Sequence, residues 1–143
     1  MELADMNILE LIPQRSPMVM IDELLYCRGK VAGGKLRINN DNVFVRKGFF
    51  TEAGMIEAIA QTAAARTGYL NRQATKNGPK VKLLIGVIGS IKDFRLFYLP
   101  KVGDELIMEI NAEYEFMNAS VISGSTSVNG KTACTAELKI FLT

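Results

Sequence analysis

The chain contains no histidine, and that absence removes more chemistry than any single residue supplies. Imidazole is the side chain most often used for proton transfer near neutral pH. Ser-His-Asp and Cys-His nucleophile systems, histidine-rich zinc sites and a self-contained His-carboxylate pair are therefore closed to this chain acting alone. Carboxylate, lysine, tyrosine, thiol and backbone dipoles remain. Cysteine is scarce too. Cys27 and Cys134 lie far apart and neither stands in a Cys-x-x-Cys pair, so buried reduced thiols are expected in place of a disulfide or metal site. No metal and no cofactor is expected. Apolar runs never approach the ~18 residues of a membrane span, and the opening Met1-Glu2-Leu3-Ala4-Asp5 is acidic where a secretory signal is basic. A soluble, cytoplasmic protein with no membrane partner is expected. Repeats, low-complexity tracts and Pro/Ser-rich linkers are missing, and 143 residues is the usual size of one domain. A single domain over residues 1–143 is the expectation.

A net charge of +2 is too small to imply nucleic-acid binding, and none is expected. Its distribution is uneven. From Arg66 to Lys101 the basic residues Arg66, Arg72, Lys76, Lys80, Lys82, Lys92, Arg95 and Lys101 stand against one acid, Asp93. They are either ordinary solvated charge or an electropositive rim for an acidic partner or phosphate-bearing ligand.

Asn7-Ile8-Leu9-Glu10-Leu11-Ile12 predicts a short helical turn ended by Pro13. After Pro17, Met18-Val19-Met20-Ile21 predicts the start of an apolar strand running on through Leu24, Leu25 and Tyr26, paired with residues 30–39 across an Arg28-Gly29 turn. One strong helix is predicted from 52 to about 72, with Thr51 as N-cap, Glu52 at the positive end of the dipole and Gly68 late. Ala53, Ala58, Ala60, Ala63, Ala64 and Ala65, with Gly54, leave little bulk on several sides, while Met55, Ile56, Ile59 and Leu70 supply larger apolar groups. A helix this apolar nearly all round is expected to be buried. After a polar loop at 73–80, everything reads as extended: 81–99, 105–116, 120–128 and 132–142. Turns are expected at Pro100-Lys101-Val102-Gly103, Met117-Asn118 and Asn129-Gly130, the last a tight hairpin signal. Cys134, Ala136, Leu138 and Ile140 alternate to one face. The plan is α+β, a curved antiparallel sheet wrapping one long helix.

Three stretches together resemble the hotdog-fold 3-hydroxyacyl-acyl-carrier-protein dehydratases (FabZ-like). Ile12-Pro13-Gln14-Arg15-Ser16-Pro17-Met18-Val19-Met20-Ile21-Asp22 is similar to the family's opening Leu-Pro-His-Arg-x-Pro, apolar residues and Asp. Glu57-Ala58-Ile59-Ala60-Gln61 matches the Glu-Ala-x-Ala-Gln of the central helix. Residues 86–95, followed by Pro100-Lys101-Val102-Gly103-Asp104-Glu105-Leu106, resemble the later strand and its Pro-x-x-Pro-Gly-Asp turn. Order and spacing cover nearly the whole chain.

The resemblance implies a hotdog fold and a dimer whose sheets join edge to edge, with a carboxylate from one helix facing a histidine of the other subunit. It also implies an acyl thioester substrate on a phosphopantetheine arm, delivered by an acyl carrier protein or as a CoA thioester. In that scheme Glu57 is the catalytic carboxylate, and Gln61, one turn on, shares its face. The departure is equally plain. Where the family carries histidine in a His-Phe-Pro-Gly-x-Pro-x-x-Pro-Gly loop, residues 43–54 have neither histidine nor proline, the spacing from Gly54 to Glu57 is shorter, and the opening motif's histidine is Gln14. Dehydratase-like proteins of aryl-polyene pigment synthesis resemble this shortened type.

Dehydration needs a base for the α-proton and an acid for the leaving hydroxyl, and Glu57 fills one role. Activity is therefore expected to be weak or absent in a homodimer and restored in a heterodimer with a histidine-bearing dehydratase paralogue. Two alternatives stand beside it: a thioesterase in which Glu57 activates water, and a non-catalytic scaffold subunit. Gln61 is expected to orient Glu57 or satisfy backbone. Gly54 either offers its N–H to a thioester carbonyl or packs closely. Arg95 and Lys101 either contact the carrier protein or its phosphate, or are solvated. Phe94, Phe97, Tyr98 and Phe116 are expected in the core or along the acyl tunnel.

Overall fold

A computed structural model describes residues 3–75 and 83–143. Two 3-10 turns, Leu3–Asp5 and Ile8–Glu10, lead in, the second begun by Asn7, whose Oδ1 accepts the Leu9 N–H at 2.9 Å. A hairpin of β1 (Glu23–Arg28) and β2 (Val31–Arg37) follows, then a small ribbon of β3 (Val45–Arg46) and β4 (Phe49–Phe50). Helix α1 covers Glu52–Ala74. The remainder is strand: β5 (Gly86–Leu96), β6 (Glu105–Phe116), β7 (Ala119–Val128) and β8 (Lys131–Leu142). Residues 76–82, which held part of the expected polar loop and the start of the first late strand, lie outside the described residues.

Six strands form one sheet in the order β1-β2-β6-β7-β8-β5, every neighbouring pair antiparallel. The β6-β7-β8 meander begins and ends within a residue of the sequence reading because its turn chemistry is explicit. Asn129 and Gly130 both take positive φ, 51° and 80°, as a two-residue hairpin between Val128 and Lys131 requires. On β8, Cys134, Ala136, Leu138 and Ile140 are buried, so the alternation holds. Helix α1 touches all six strands, the expected plan of a sheet around one helix.

Small residues let helix and sheet approach. Ala58, Ala63 and Ala65 are buried against the core, and a methyl on Gly124 of β7 would collide with Ile59. Near the other end, a methyl on Gly68 would strike the Leu11 carbonyl oxygen. Gly68→Ala gains ~1 kcal/mol of helix propensity, but backbone cannot yield as a flexible side chain does, and overpacking of this kind costs about 1–3 kcal/mol. A lower midpoint in urea unfolding is the expected result.

Two expectations about these elements are corrected. Residues 18–22 are not strand; β1 begins at Glu23, because the Met20 N–H and Met18 carbonyl are bound by a helix side chain, Gln61, and not by a neighbouring strand. The helix is also not buried all round. Ile56, Glu57, Ala60, Ala64 and Thr67 are only partly covered, and Leu70 is exposed, since the sheet of one chain encloses part of the cylinder. Thr51 does sit at the N-cap position, but its hydroxyl donates to the Phe44 carbonyl at 2.8 Å and caps nothing in the helix. Cys27 and Cys134 are free thiols, but of the two expected to be buried only Cys134 is, Cys27 being half-buried at the open edge of the sheet's first hairpin; burial raises the pKa of each.

Candidate functional site

Glu57 and Gln61 stand one turn apart on the partly open face of α1. Gln61 is 0% exposed, and its amide is saturated. Oε1 accepts the Met20 N–H at 2.6 Å, while Nε2 donates to the Met18 carbonyl and to Glu57 Oε2, both at 2.7 Å. One side chain thus holds the loop before β1 against the helix and fixes the carboxyl. Among the described residues Glu57 Oε1 has no hydrogen-bond partner, so the oxygen not held by Gln61 is left for chemistry.

Burial pushes the Glu57 carboxyl above its ordinary pKa, and the Gln61 hydrogen bond offsets part of that rise. The folded chain therefore holds this proton more tightly than the unfolded chain. The stability belonging to the neutral form is full below the unfolded value of 4.5 and is lost as pH rises through the folded pKa. Glu57→Gln removes that loss. Thermal unfolding should show the variant above the parent at neutral pH, with the two curves converging below about pH 4.

Glu57 borders a hollow between the helix and the sheet end, with about 50 Å³ of enclosed room. Ala60, Ala63 and Ala64 form its helix side, Ile122 and Ile140 its sheet side, and Gln14 lines it too. Arg66 also lines it. The sequence reading left Arg66 as either solvated charge or part of an electropositive rim, but it is 7% exposed, donating to Glu115 at 3.2 Å and to the Gly29 carbonyl at 3.1 Å. Its setting among alanines of a mostly buried helix was the available signal. Arg72 pairs with Glu10 at 3.6 Å, and Lys76, Lys80 and Lys82 lie outside the described residues, so the described members of the basic run do not form one patch.

The other candidates lie apart from Glu57. Gly54 is buried one turn earlier, and a Cβ there would meet the Phe50 ring at 2.6 Å and Phe44 Cβ at 2.7 Å, so close packing accounts for it. Arg95, on β5, borders a wider hollow of about 470 Å³ with Asp93, Glu109 and Glu137. Residues such as Glu109 and Glu137 alternate along their strands with core residues, which sets this hollow on the side of the sheet away from the helix. Lys101 is exposed in the turn after β5, where its N–H is held by Asp104 Oδ2 at 2.8 Å. Phe94 and Tyr98 pack on the core, but Phe97 and Phe116 are each 60% exposed. Those two are therefore not part of the core of the single chain; they sit just past the edge strand β5 and at the β6–β7 hairpin tip. Among the described residues no cluster of three or more His, Cys, Asp or Glu has metal-binding geometry, and no helix is long and apolar enough to cross a membrane.

Comparison with known proteins gives this geometry a family. Residues 6–143 match the model of the ApeP-like family, described as ApeP dehydratase. The chain is 30% identical over 142 residues to the 3-hydroxyacyl-acyl-carrier-protein dehydratase FabZ of Ligilactobacillus salivarius, covering 95% of this chain and 96% of that one. Among solved structures it resembles the dehydratase heterocomplex ApeI:P from Xenorhabdus doucetiae, with TM-score 0.79 and 16% identity over 96% of this chain and 91% of that one. A hypothetical thioesterase with coenzyme A from Streptococcus pneumoniae shares the fold at TM-score 0.64 and 15% identity, over 85% and 84% of the chains. With a family model matched over residues 6–143 and a FabZ relative 30% identical over nearly its whole length, the chain belongs to the ApeP-like dehydratases, a hotdog-fold family related to FabZ.

Proposed function

We propose that this chain supplies half of a dehydratase active site, with Glu57 as general acid, and that a histidine from a partner subunit supplies the base. The observation that carries the reading is a carboxyl anchored through one oxygen, raised in pKa by burial and bordering a hollow, in a chain with no imidazole. In the step itself the partner's imidazole takes the C2 proton of a 3-hydroxyacyl thioester. The electron pair forms the C2=C3 bond, the C3–O bond breaks, and Glu57 protonates the leaving hydroxyl as water. Proton return from imidazolium to carboxylate resets the pair.

Two further observations support a shared site. The enclosed room of about 50 Å³ is well below the ~300 Å³ at the low end of ligand pockets, so a second surface is needed to complete it. Strand β5 is an open sheet edge carrying Val87, Ile91 and Leu96, which are 51%, 47% and 42% exposed. An apolar unpaired edge is a template for another strand. The relative whose structure is a dehydratase heterocomplex fits a paralogue as that partner, with the acyl group carried by a carrier protein or CoA. On this reading residues 1–143 act as one domain. Ile91→Asp is expected to leave the circular dichroism spectrum intact, while sedimentation shows the loss of the assembled species.

The deciding experiment incubates the pure chain, alone and mixed with a histidine-bearing dehydratase paralogue, with 3-hydroxyacyl carrier protein, and follows enoyl product and free thiol. Enoyl product in the mixture beyond what the paralogue forms by itself supports the shared site. Free thiol released by the chain alone supports hydrolysis, and enoyl product at the paralogue's own rate with no free thiol leaves a scaffold subunit.

A further inference from the structure

Among the described residues, one buried side-chain oxygen or nitrogen lacks any hydrogen-bond partner: Oε1 of Gln14. A buried acceptor left unpaired is destabilising, so its retention calls for a use. Its backbone is held firmly. Arg15 Nη1 donates to the Ile12 and Gln14 carbonyls, both at 2.7 Å, and Nη2 to the Leu9 carbonyl at 3.0 Å. With its main chain held in this way, Gln14 lines the same hollow that Glu57 borders.

We propose that Gln14 is a specificity-determining residue, whose amide binds the 3-hydroxyl of the acyl chain and so selects hydroxylated over saturated thioesters. This rests on the reading of the hollow as a 3-hydroxyacyl thioester site. The chemistry follows from the missing partner. A carbonyl oxygen with no donor is satisfied by an O–H, and of a 3-hydroxyacyl thioester and its saturated counterpart only the first carries one near the reacting carbons. Gln14 and Glu57 line one hollow, so a hydroxyl held by the first is within the space that the second borders. Gln14 binds and aims the leaving group, and Glu57 delivers the proton.

The test titrates 3-hydroxyhexanoyl-pantetheine and hexanoyl-pantetheine into the full-length chain, and into the chain mixed with its histidine-bearing partner, by calorimetry. One satisfied hydrogen bond, about 1 kcal/mol, predicts about five-fold tighter binding of the hydroxylated probe. Gln14→Met, of similar length and without polar atoms, should erase or invert that preference while binding the saturated probe at least as tightly as the parent does. Because the variant removes an unpaired buried acceptor, its thermal midpoint should equal or exceed the parent's. Equal binding of the two probes by the parent, or a preference that survives in the variant, overturns the proposal and leaves the thioester reading standing. A variant that melts several degrees lower also overturns it, since the amide is then bonded within the protein. Binding of neither probe by chain or mixture removes the thioester reading and this inference with it.

Discussion

Replacing Glu57 by glutamine should slow dehydration by the partnered chain by about 10²- to 10⁴-fold, the usual contribution of a positioned acid or base. The substitution isolates the proton. The glutamine carbonyl can still accept from Gln61 Nε2, as Glu57 Oε2 does at 2.7 Å, so loop and helix stay joined and the hollow keeps its shape. What disappears is a transferable proton on the oxygen left free. The loss should fall on kcat with little change in KM, because the hydroxyl leaves only in the transition state. Parent activity should also decline as pH rises through the raised Glu57 pKa, since the acid form is then depleted, and the glutamine variant should lack that limb. A partnered Glu57→Gln variant as active as the parent removes Glu57 from the chemistry and favours the scaffold role.

The second large effect concerns Gln61. Gln61→Leu deletes three hydrogen bonds at once and leaves the Met20 N–H, in a residue only 1% exposed, with no acceptor. The Met18 carbonyl belongs to an exposed residue and can turn to water. The net cost should be about 2–4 kcal/mol, a substantial share of the ~5–15 kcal/mol that a domain has in total, and roughly 10 °C in midpoint. Activity should fall as well, because the carboxyl loses the donor that orients it. Calorimetry of the variant decides the matter. A midpoint within about 2 °C of the parent means that the loop is held by other contacts, and the coupling between loop and site is then refuted.

These two residues also mark what was legible in the sequence. The contact between 57 and 61 was readable because helical spacing alone puts them on one face. The late meander was readable because Asn129-Gly130 and strict alternation on β8 leave little freedom of register. Residues 18–22 misled because an apolar run reads as strand unless one knows that its hydrogen bonds go to a glutamine 41 positions away. Arg66 was read as surface because charge runs usually are, and its burial depends on Glu115 and on the Gly29 carbonyl, both supplied by the sheet. Phe97 and Phe116 were assigned inward on hydrophobicity alone. Periodicity says which face a residue takes on its strand, not whether that strand has a neighbour.

The Met20 amide offers a way to watch the Glu57–Gln61 pair from the main chain. Its proton is guarded by a side chain that also grips the acid, so deuterium uptake at that one position reports how often the grip opens. Occupation of the hollow should slow the uptake, which makes this amide an internal clock for the readiness of the site.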